Sequence, residues 1–299
     1  MDILLRYKCL IVGDMDLNNV FKNIRDNALK IFGKDNLYSI IVFGSASRPE
    51  EFVEGLSDID IAFIVRSKKN ISETINIFSD AGYRVSPVFL TPNDLKMLVD
   101  KGYPLSHLLK NDSKIIYGED FIRDFWKENK LNITDKTLDY LYRSSLVALS
   151  LAAEDYFSKM YRECISHLYH SIRHAFRWLI CKEYNVFLTS NKSILDAIKL
   201  LKLPAELEDI FKRLINLRRE KNFEEKAVLK IFDDTIDRVS KILDLNQYIS
   251  FNEVLNKLRE IKYTYIIIRI TAFVENRDLR WMIELYNDSM NRYEEILIK

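Results

Sequence analysis

Tyr38-Ser39-Ile40-Ile41-Val42-Phe43-Gly44-Ser45-Ala46-Ser47-Arg48, followed by Ser57-Asp58-Ile59-Asp60-Ile61-Ala62-Phe63, is the stretch that decides the fold. The run Tyr38 to Phe43 is apolar and bounded by glycine, the mark of a buried strand. At Gly44-Ser45 the chain turns, and glycine lets backbone approach a ligand at no steric cost. A second strand is expected from Ser57 to Val65. Asp58 and Asp60 sit two apart on it and share a face, with Cα atoms about 6.6 Å apart at about 3.3 Å rise per residue. Carboxylates at that spacing can converge on one divalent ion, or bridge two ions about 3.5–4 Å apart.

A burial conflict sharpens the reading. Ile59, Ile61, Phe63 and Val65 make one face of the strand apolar, and Ile41 and Phe43 do the same next door. Two adjacent Asp on such a strand repel each other and are poor strand formers. An isolated Asp-x-Asp is read as a strand with one solvated face. The strand and Gly-Ser turn upstream favour a site instead.

Together these residues resemble the DNA polymerase β-type nucleotidyltransferase superfamily, over residues from about 15 to 120. The resemblance implies that Gly44 and Ser45 hold a triphosphate and that Asp58 and Asp60 hold Mg²⁺. It makes ATP or another NTP the substrate, with Arg48 and Ser57 as further nucleotide-binding candidates. The family usually adds a third carboxylate on the next strand. Here that strand is Arg84-Val85-Ser86-Pro87-Val88-Phe89-Leu90, and Ser86 or Pro87 stands where the acid belongs. The expected activity is transfer of a nucleoside monophosphate from NTP to a hydroxyl acceptor: a small compound, a protein or an RNA end. Two other readings stay open, a degenerate nucleotide-binding module of antitoxin type and an RNA-tailing enzyme.

Composition sets the outer bounds. The 299 residues allow about two domains, and 48% apolar residues supply a sizeable core. A formal charge of +1 gives no global bias toward nucleic acid or membrane. Gln247 is the only Gln amid abundant Lys, Glu and Ile, a weak thermophile signal. Cys9, Cys164 and Cys181 have no ligand spacing and read as reduced packing residues of a cytoplasmic protein. No run approaches the roughly 18 apolar residues of a membrane span, and the N-terminus does not read as a signal peptide.

Taken in order, the chain reads as an α/β half, 1–120, with a mixed sheet. Strands are expected at Cys9 to Val12, at the two site strands, at Arg84 to Leu90 and at Lys114 to Tyr117. Helices are expected at Asp16 to Phe32, at Ser72 to Ala81, and from Thr91-Pro92 onward. Residues 121–133 read as a linker, and 134–299 as an all-α bundle. Its helices fall near 135–157, 160–184, 192–202, 204–219 and 225–244, with two more near 250–273 and 278–297. Arg162 to Asn185 resembles the second helix of a HEPN-type domain, which would occupy about 134–245. The HEPN ribonuclease pattern does not carry over, since no His follows Arg218 and Arg219 at its spacing.

His167, His170 and His174 fall within about 60° on one helix face. They are read as a polar or interdomain face rather than core. They are also the only run there that titrates near neutral pH, so His170 or His174 is the candidate acceptor-side base facing Asp58 and Asp60. Lys212, Arg213, Arg218, Arg219 and Lys221 form a basic run, read as a solvated face with RNA contact as the alternative. A homodimer is left open.

Overall fold

In the computed structural model, residues 16–78 and 82–298 are described. The strand expected at Cys9 to Val12 lies outside them. The chain divides into two compact units. One comprises the residues through Thr137 together with Thr189–Asn191, and the other Leu138–Leu188 together with the residues from Lys192 on.

The first unit begins where the Asp16 carboxylate accepts the Asn18 N–H at 3.0 Å and caps α1 (Leu17–Phe32). Val20, Phe21, Ile24 and Ala28 make its buried stripe. β1 (Leu37–Phe43) runs into one 3₁₀ turn, Gly44–Ser47, and β2 (Ile59–Val65) returns antiparallel to it. α2 (Ile71–Thr74) is a single turn followed by a 3₁₀ turn at Ile75–Ile77. The longer helix expected at Ser72 to Ala81 is therefore not continuous, and its last residues lie outside the described set. β-branched Ile75 and Ile77 resist helix, and the tighter turn buries the successive residues Ile77 and Phe78.

β3 (Val85–Leu90) lies parallel to β2. α3 (Pro92–Asp100) starts on a reciprocal cap, Thr91 with Asp94. α4 (Pro104–Asn111), β4 (Ser113–Tyr117) and α5 (Glu119–Glu128) complete the order. The sheet order is β3-β2-β1-β4, with β4 antiparallel to β1, so the sheet is mixed. Ile40, Val42, Ile59, Ile61 and Phe63 pack with α1 on one face. Ile41, Phe43, Ala62 and Ile64 pack with Leu95, Leu109 and Ile122 on the other. The stretch expected to be a linker, 121–133, thus holds most of α5. Its Phe121, Ile122, Phe125 and Trp126 fall at helical spacing and join that second layer.

The second unit carries the long helices α6 (Asp135–Phe157), α7 (Tyr161–Tyr184), α8 (Asn191–Leu200), α9 (Ala205–Leu217) and α10 (Glu225–Ile242). The two helices expected after these give way to different structure. β5 (Gln247–Tyr248) and α11 (Phe251–Arg259) precede an antiparallel sheet of β6 (Tyr265–Glu275), β7 (Asp278–Asn287) and β8 (Arg292–Ile298). The physical reason is period. β7 alternates buried and half-buried at every residue, and β6 is rich in β-branched side chains. Asn276 and Arg277, at φ +54 and +66, form the two-residue hairpin turn between them. Trp281 anchors the sheet on the helices, with its indole N–H donating to Ile249 O at 3.0 Å and Phe232 stacked on Phe251 nearby. No helix among the described residues is long and apolar enough to cross a membrane.

Gly118 shows how tightly β4 and α5 close on β1. Its φ is +70, and a Cβ there would lie 1.9 Å from the Tyr38 carbonyl oxygen. Gly33, at φ +73, has nothing within 4 Å of such an atom. Gly33→Ala should therefore cost backbone strain alone, about 1–3 kcal/mol. Gly118→Ala should exceed it by about 2 kcal/mol or more, since backbone must move. Denaturant unfolding of the two variants measures the difference.

Candidate active site

β2 carries apolar residues on both faces, and the site lies where that pattern is broken. Ile59, Ile61 and Phe63 point to the α1 layer. Asp60 shares the opposite face with Ala62 and Ile64. It stands at the start of the strand, opposite Phe43 on β1 and Ser86 on β3. Burial, and then the Asp58 charge beside it, pushes the Asp60 carboxyl up to about 7.

The turn after β1 is built against this carboxyl. Gly44 has φ +68, and a Cβ on it would sit 2.7 Å from Asp60 Oδ2. Only glycine meets both demands. The Ser47 hydroxyl donates to Gly44 O at 2.7 Å and lies 3.2 Å from Asp112 O. The Arg48 N–H closes the 3₁₀ turn on Ser45 O at 3.0 Å. The Arg48 guanidinium, expected to reach a triphosphate, is held in an ion pair with Asp112 and by Glu51 at 2.9 Å. Glu51 Oε1 in turn accepts the Asn191 N–H at 2.5 Å. Ser57 Oγ accepts the Val53 N–H at 2.9 Å, and its own N–H donates to Val53 O at 2.8 Å. Ser57 and Arg48 thus fix the loop that delivers Asp58 to the site.

Asp58 precedes β2 by one residue and meets two groups from the β3 side. Its Oδ1 lies 2.9 Å from Arg84 Nε, and its Oδ2 accepts the Ser86 hydroxyl at 3.2 Å. Arg84 also donates to Leu56 O at 2.6 Å. The Arg84 Nε–H is not aimed at Oδ1, which is a buried acceptor with no directed hydrogen bond. Asp58 and the desolvated Asp60 set two carboxyl groups side by side, oxygen donors of the kind a divalent ion takes, with the Arg84 guanidinium already lying on one of them. No cluster of three or more His, Cys, Asp or Glu suited to a metal occurs among the described residues.

The His row lies in the second unit, on α7. His167 Nδ1 is 2.6 Å from Asp155 Oδ2. His170 packs edge-on to the Tyr169 ring, and His174 Nδ1 is buried without a hydrogen-bond partner. Burial, and then the Arg218, His174 and Arg173 charges, hold His170 well below the usual imidazole range. Burial, with Arg177 and Arg173, pushes His174 down to about 3. Both rings are neutral at neutral pH and bind a proton weakly. From the basic run, Lys212 pairs with Glu208 at 2.6 Å on the surface. Arg218 instead is buried, donating to Ser166 Oγ at 3.2 Å and lying 4.2 Å from the Tyr169 ring. Arg218 therefore departs from the solvated face expected of the run.

No protein-family model matches the chain, and no curated protein matches it either. Among solved structures, it is similar to spectinomycin adenyltransferase AAD(9) from Enterococcus faecialis, solved with ATP and spectinomycin. Identity is 15% over 75% of this chain and 99% of that one, with a TM-score of 0.47. It is also similar to a nucleotidyltransferase-like protein from Exiguobacterium sibiricum 255-15, at 12% identity over 83% of this chain and 82% of that one, with a TM-score of 0.33.

Arg84, Glu51 and Asp112 were not singled out by sequence reasoning. A signal existed for Arg84 alone: it lies two residues before Ser86, so both share the β3 face next to the acids.

The depressed histidines set a pH dependence. In the unfolded chain they take protons near 6.5, whereas in the folded protein they do so only at much lower pH. Unfolding thus binds protons, and stability falls as pH drops below about 6.5 toward the folded values, with no contribution above that range. Between pH about 6.5 and about 5 the expected loss is up to about 2 kcal/mol per histidine. Urea unfolding at both pH values, in the wild type and in His170→Gln/His174→Gln, should show a smaller pH-dependent loss in the variant.

Proposed function

We propose that the first unit binds a nucleoside triphosphate and transfers its nucleoside monophosphate to a hydroxyl acceptor. The observation that carries this reading is the contact of Gly44 with Asp60. A glycine at φ +68, where a Cβ would fall 2.7 Å from Asp60 Oδ2, brings a tight turn against a buried carboxyl paired with a second one. Such a turn lets a polyphosphate approach backbone N–H groups while the carboxylates wait at its edge.

Asp58 and Asp60 would hold Mg²⁺. When bound, the ion supplies charge neutralisation for an in-line displacement at the α-phosphorus with pyrophosphate leaving. The chain's own part is positional. Ser57 and Arg48 fix the register of the loop, and Gly44 sets the distance of approach to Asp60. The acceptor hydroxyl must lose a proton, and Ser86, where the family's third acid would stand, is a poor base. His170 and His174 are the expected acceptor-side groups, but each is buried beside arginine charges and takes a proton weakly, so neither suits the role of base. ATP is the proposed donor. A small hydroxyl compound, a protein or an RNA end would all serve as acceptor.

One observation favours a second reading, a nucleotide-binding module without transfer. Arg84 sits on Asp58, and Ser86 stands where the resemblance would place an acid. Incubation with labelled NTPs, Mg²⁺ and cell extract separates the two. Label transfer that is lost in Asp58→Asn/Asp60→Asn supports the transferase. Nucleotide binding without transfer to any acceptor supports the module. Equal ATP binding by wild type and that double variant, with and without Mg²⁺ in calorimetry, would remove the basis of both.

Arg84 also predicts a cation effect. It is a fixed positive charge 2.9 Å from Asp58 and competes with a metal ion. Arg84→Met should strengthen Mn²⁺ binding, read by electron paramagnetic resonance, by about tenfold, or about 1.4 kcal/mol. Unchanged affinity would show that Arg84 leaves Asp58 when a cation arrives.

A further inference from the structure

Glu51 lies between the Gly44–Ser47 turn and β2, and its buried carboxylate serves two elements far apart in sequence. Its Oε2 accepts from the Arg48 guanidinium at 2.9 Å, and its Oε1 accepts the Asn191 N–H at 2.5 Å. Asn191 belongs to the first unit and is the first residue of α8. The first N–H groups of a helix have no acceptor within it, so this carboxylate supplies one, and the positive end of the helix favours its charge. Arg48 also pairs with Asp112, which is buried too. The group thus sets two carboxylates against one guanidinium, and the excess negative charge is met in part at the start of α8. The Arg48 Nε–H is buried without an acceptor. The Arg48 main chain meanwhile closes the Gly44–Ser47 turn on Ser45 O.

We propose that Glu51 is a positioning residue of the nucleotide site and couples the turn that receives the phosphates to the start of α8. This rests on the nucleotide binding proposed for the first unit. The chain of contacts is short. A phosphate oxygen at the turn accepts from backbone N–H groups there and offers the acceptor that the Arg48 Nε–H lacks. Either contact holds Arg48 in place. A fixed guanidinium fixes Glu51 Oε2, and the same planar carboxylate then holds Asn191 on Oε1. Ordering one end lowers the entropy cost of ordering the other, which is positive coupling without a change of shape. The coupling is reciprocal: loosening Glu51 weakens nucleotide binding by the factor by which nucleotide tightens the start of α8. The bridge needs both oxygens and the full length of a glutamate. Glutamine keeps the length but has one acceptor oxygen, so one of the two bonds is lost whichever way it turns. Aspartate keeps the charge but is one methylene short of spanning both partners.

Hydrogen exchange of the full chain, with and without saturating ATP and Mg²⁺, tests this alongside calorimetry of ATP binding. In the wild type, nucleotide should slow exchange at 44–48 and, with it, at 189–192 by about fivefold. The Asn191 N–H has no partner within α8, so its protection reports the Glu51 bond directly. Glu51→Gln and Glu51→Asp should each bind ATP about fivefold more weakly and lose the response at 189–192, while keeping that at 44–48. Circular dichroism melts check that both variants fold. The wild-type arm needs no variant: ATP binding with no slowing at 189–192 overturns the coupling and leaves the nucleotide reading standing. No ATP binding at all overturns that reading, and the coupling with it. A Glu51→Asp chain that responds as the wild type does would show that charge alone is at work. An intact response in Glu51→Gln would put the signal on a path other than Glu51. Either result overturns the bridge.

Discussion

The first unit depends on one constraint: a carboxyl is placed where an apolar sheet would put a hydrophobic side chain. Asp60 lies between β1 and β3, on the face whose next residues, Ala62 and Ile64, are fully buried. Its desolvation raises the carboxyl to about 7, several kcal/mol above an exposed acid at neutral pH. The surroundings answer that penalty. Gly44 withdraws its side chain to leave room for Oδ2, and the Ser47, Arg48 and Asp112 contacts hold the turn in place. A fold that only needed a stable sheet would use a valine here. Keeping the acid is what makes the position a candidate for chemistry or binding.

That constraint is also what made the unit legible in the sequence. Apolar runs ended by Gly44 and broken by Asp58 and Asp60 located β1, the turn and β2. The helices α6, α7, α9 and α10 were legible for the opposite reason, as long periodic stretches ended by turn residues with little competition from strand. The error in the C-terminal stretch came from its isoleucines. Ile266, Ile267, Ile268 and Ile270 satisfy helical and strand patterns alike over a short window. The deciding signal was the alternation through β7 and the turn at Asn276-Arg277, which only a strand pairing explains. α5 was hidden by its charges, which read as a solvated connection although four aromatic or aliphatic residues follow a helical period.

The site was half legible. Residue type and spacing singled out Gly44, Asp58 and Asp60, because their chemistry conflicts with their surroundings. Ser57 and Arg48, expected to bind nucleotide, lie on the loop before β2, and their side chains hold it through Val53, Glu51 and Asp112. The spacing from Ser86 puts Arg84 on the same face, but its charge could not be assigned to Asp58 from sequence. Its meaning lies in a contact with Asp58 that exists only because β2 and β3 run parallel with Asp60 opposite Ser86. The enclosure of His170 and His174 among Arg173, Arg177 and Arg218 is equally non-local, since Arg218 comes from the end of α9.

The balance of charge at the acids sets the character of the site. Three carboxylates would present a charge of about −3 and could share two divalent ions. Asp58 and Asp60 with Arg84 beside them present about −1, and less while Asp60 holds its proton. A second ion would then approach a site that the first has already left at about +1, at a Coulomb cost of about 4 kcal/mol for each pair of unit charges 4 Å apart at an effective dielectric of about 20. The guanidinium thus stands in for part of what a second ion would contribute, but it cannot bind a nucleophile. Any transfer at this site must therefore draw the activation of its acceptor from the acceptor itself or from outside the two aspartates. The proposed binding of a triphosphate would need only one cation and the Gly44 turn. On this chemistry, the proposed nucleotide binding asks less of the unit than the proposed transfer, whose requirements fall on residues other than Asp58 and Asp60.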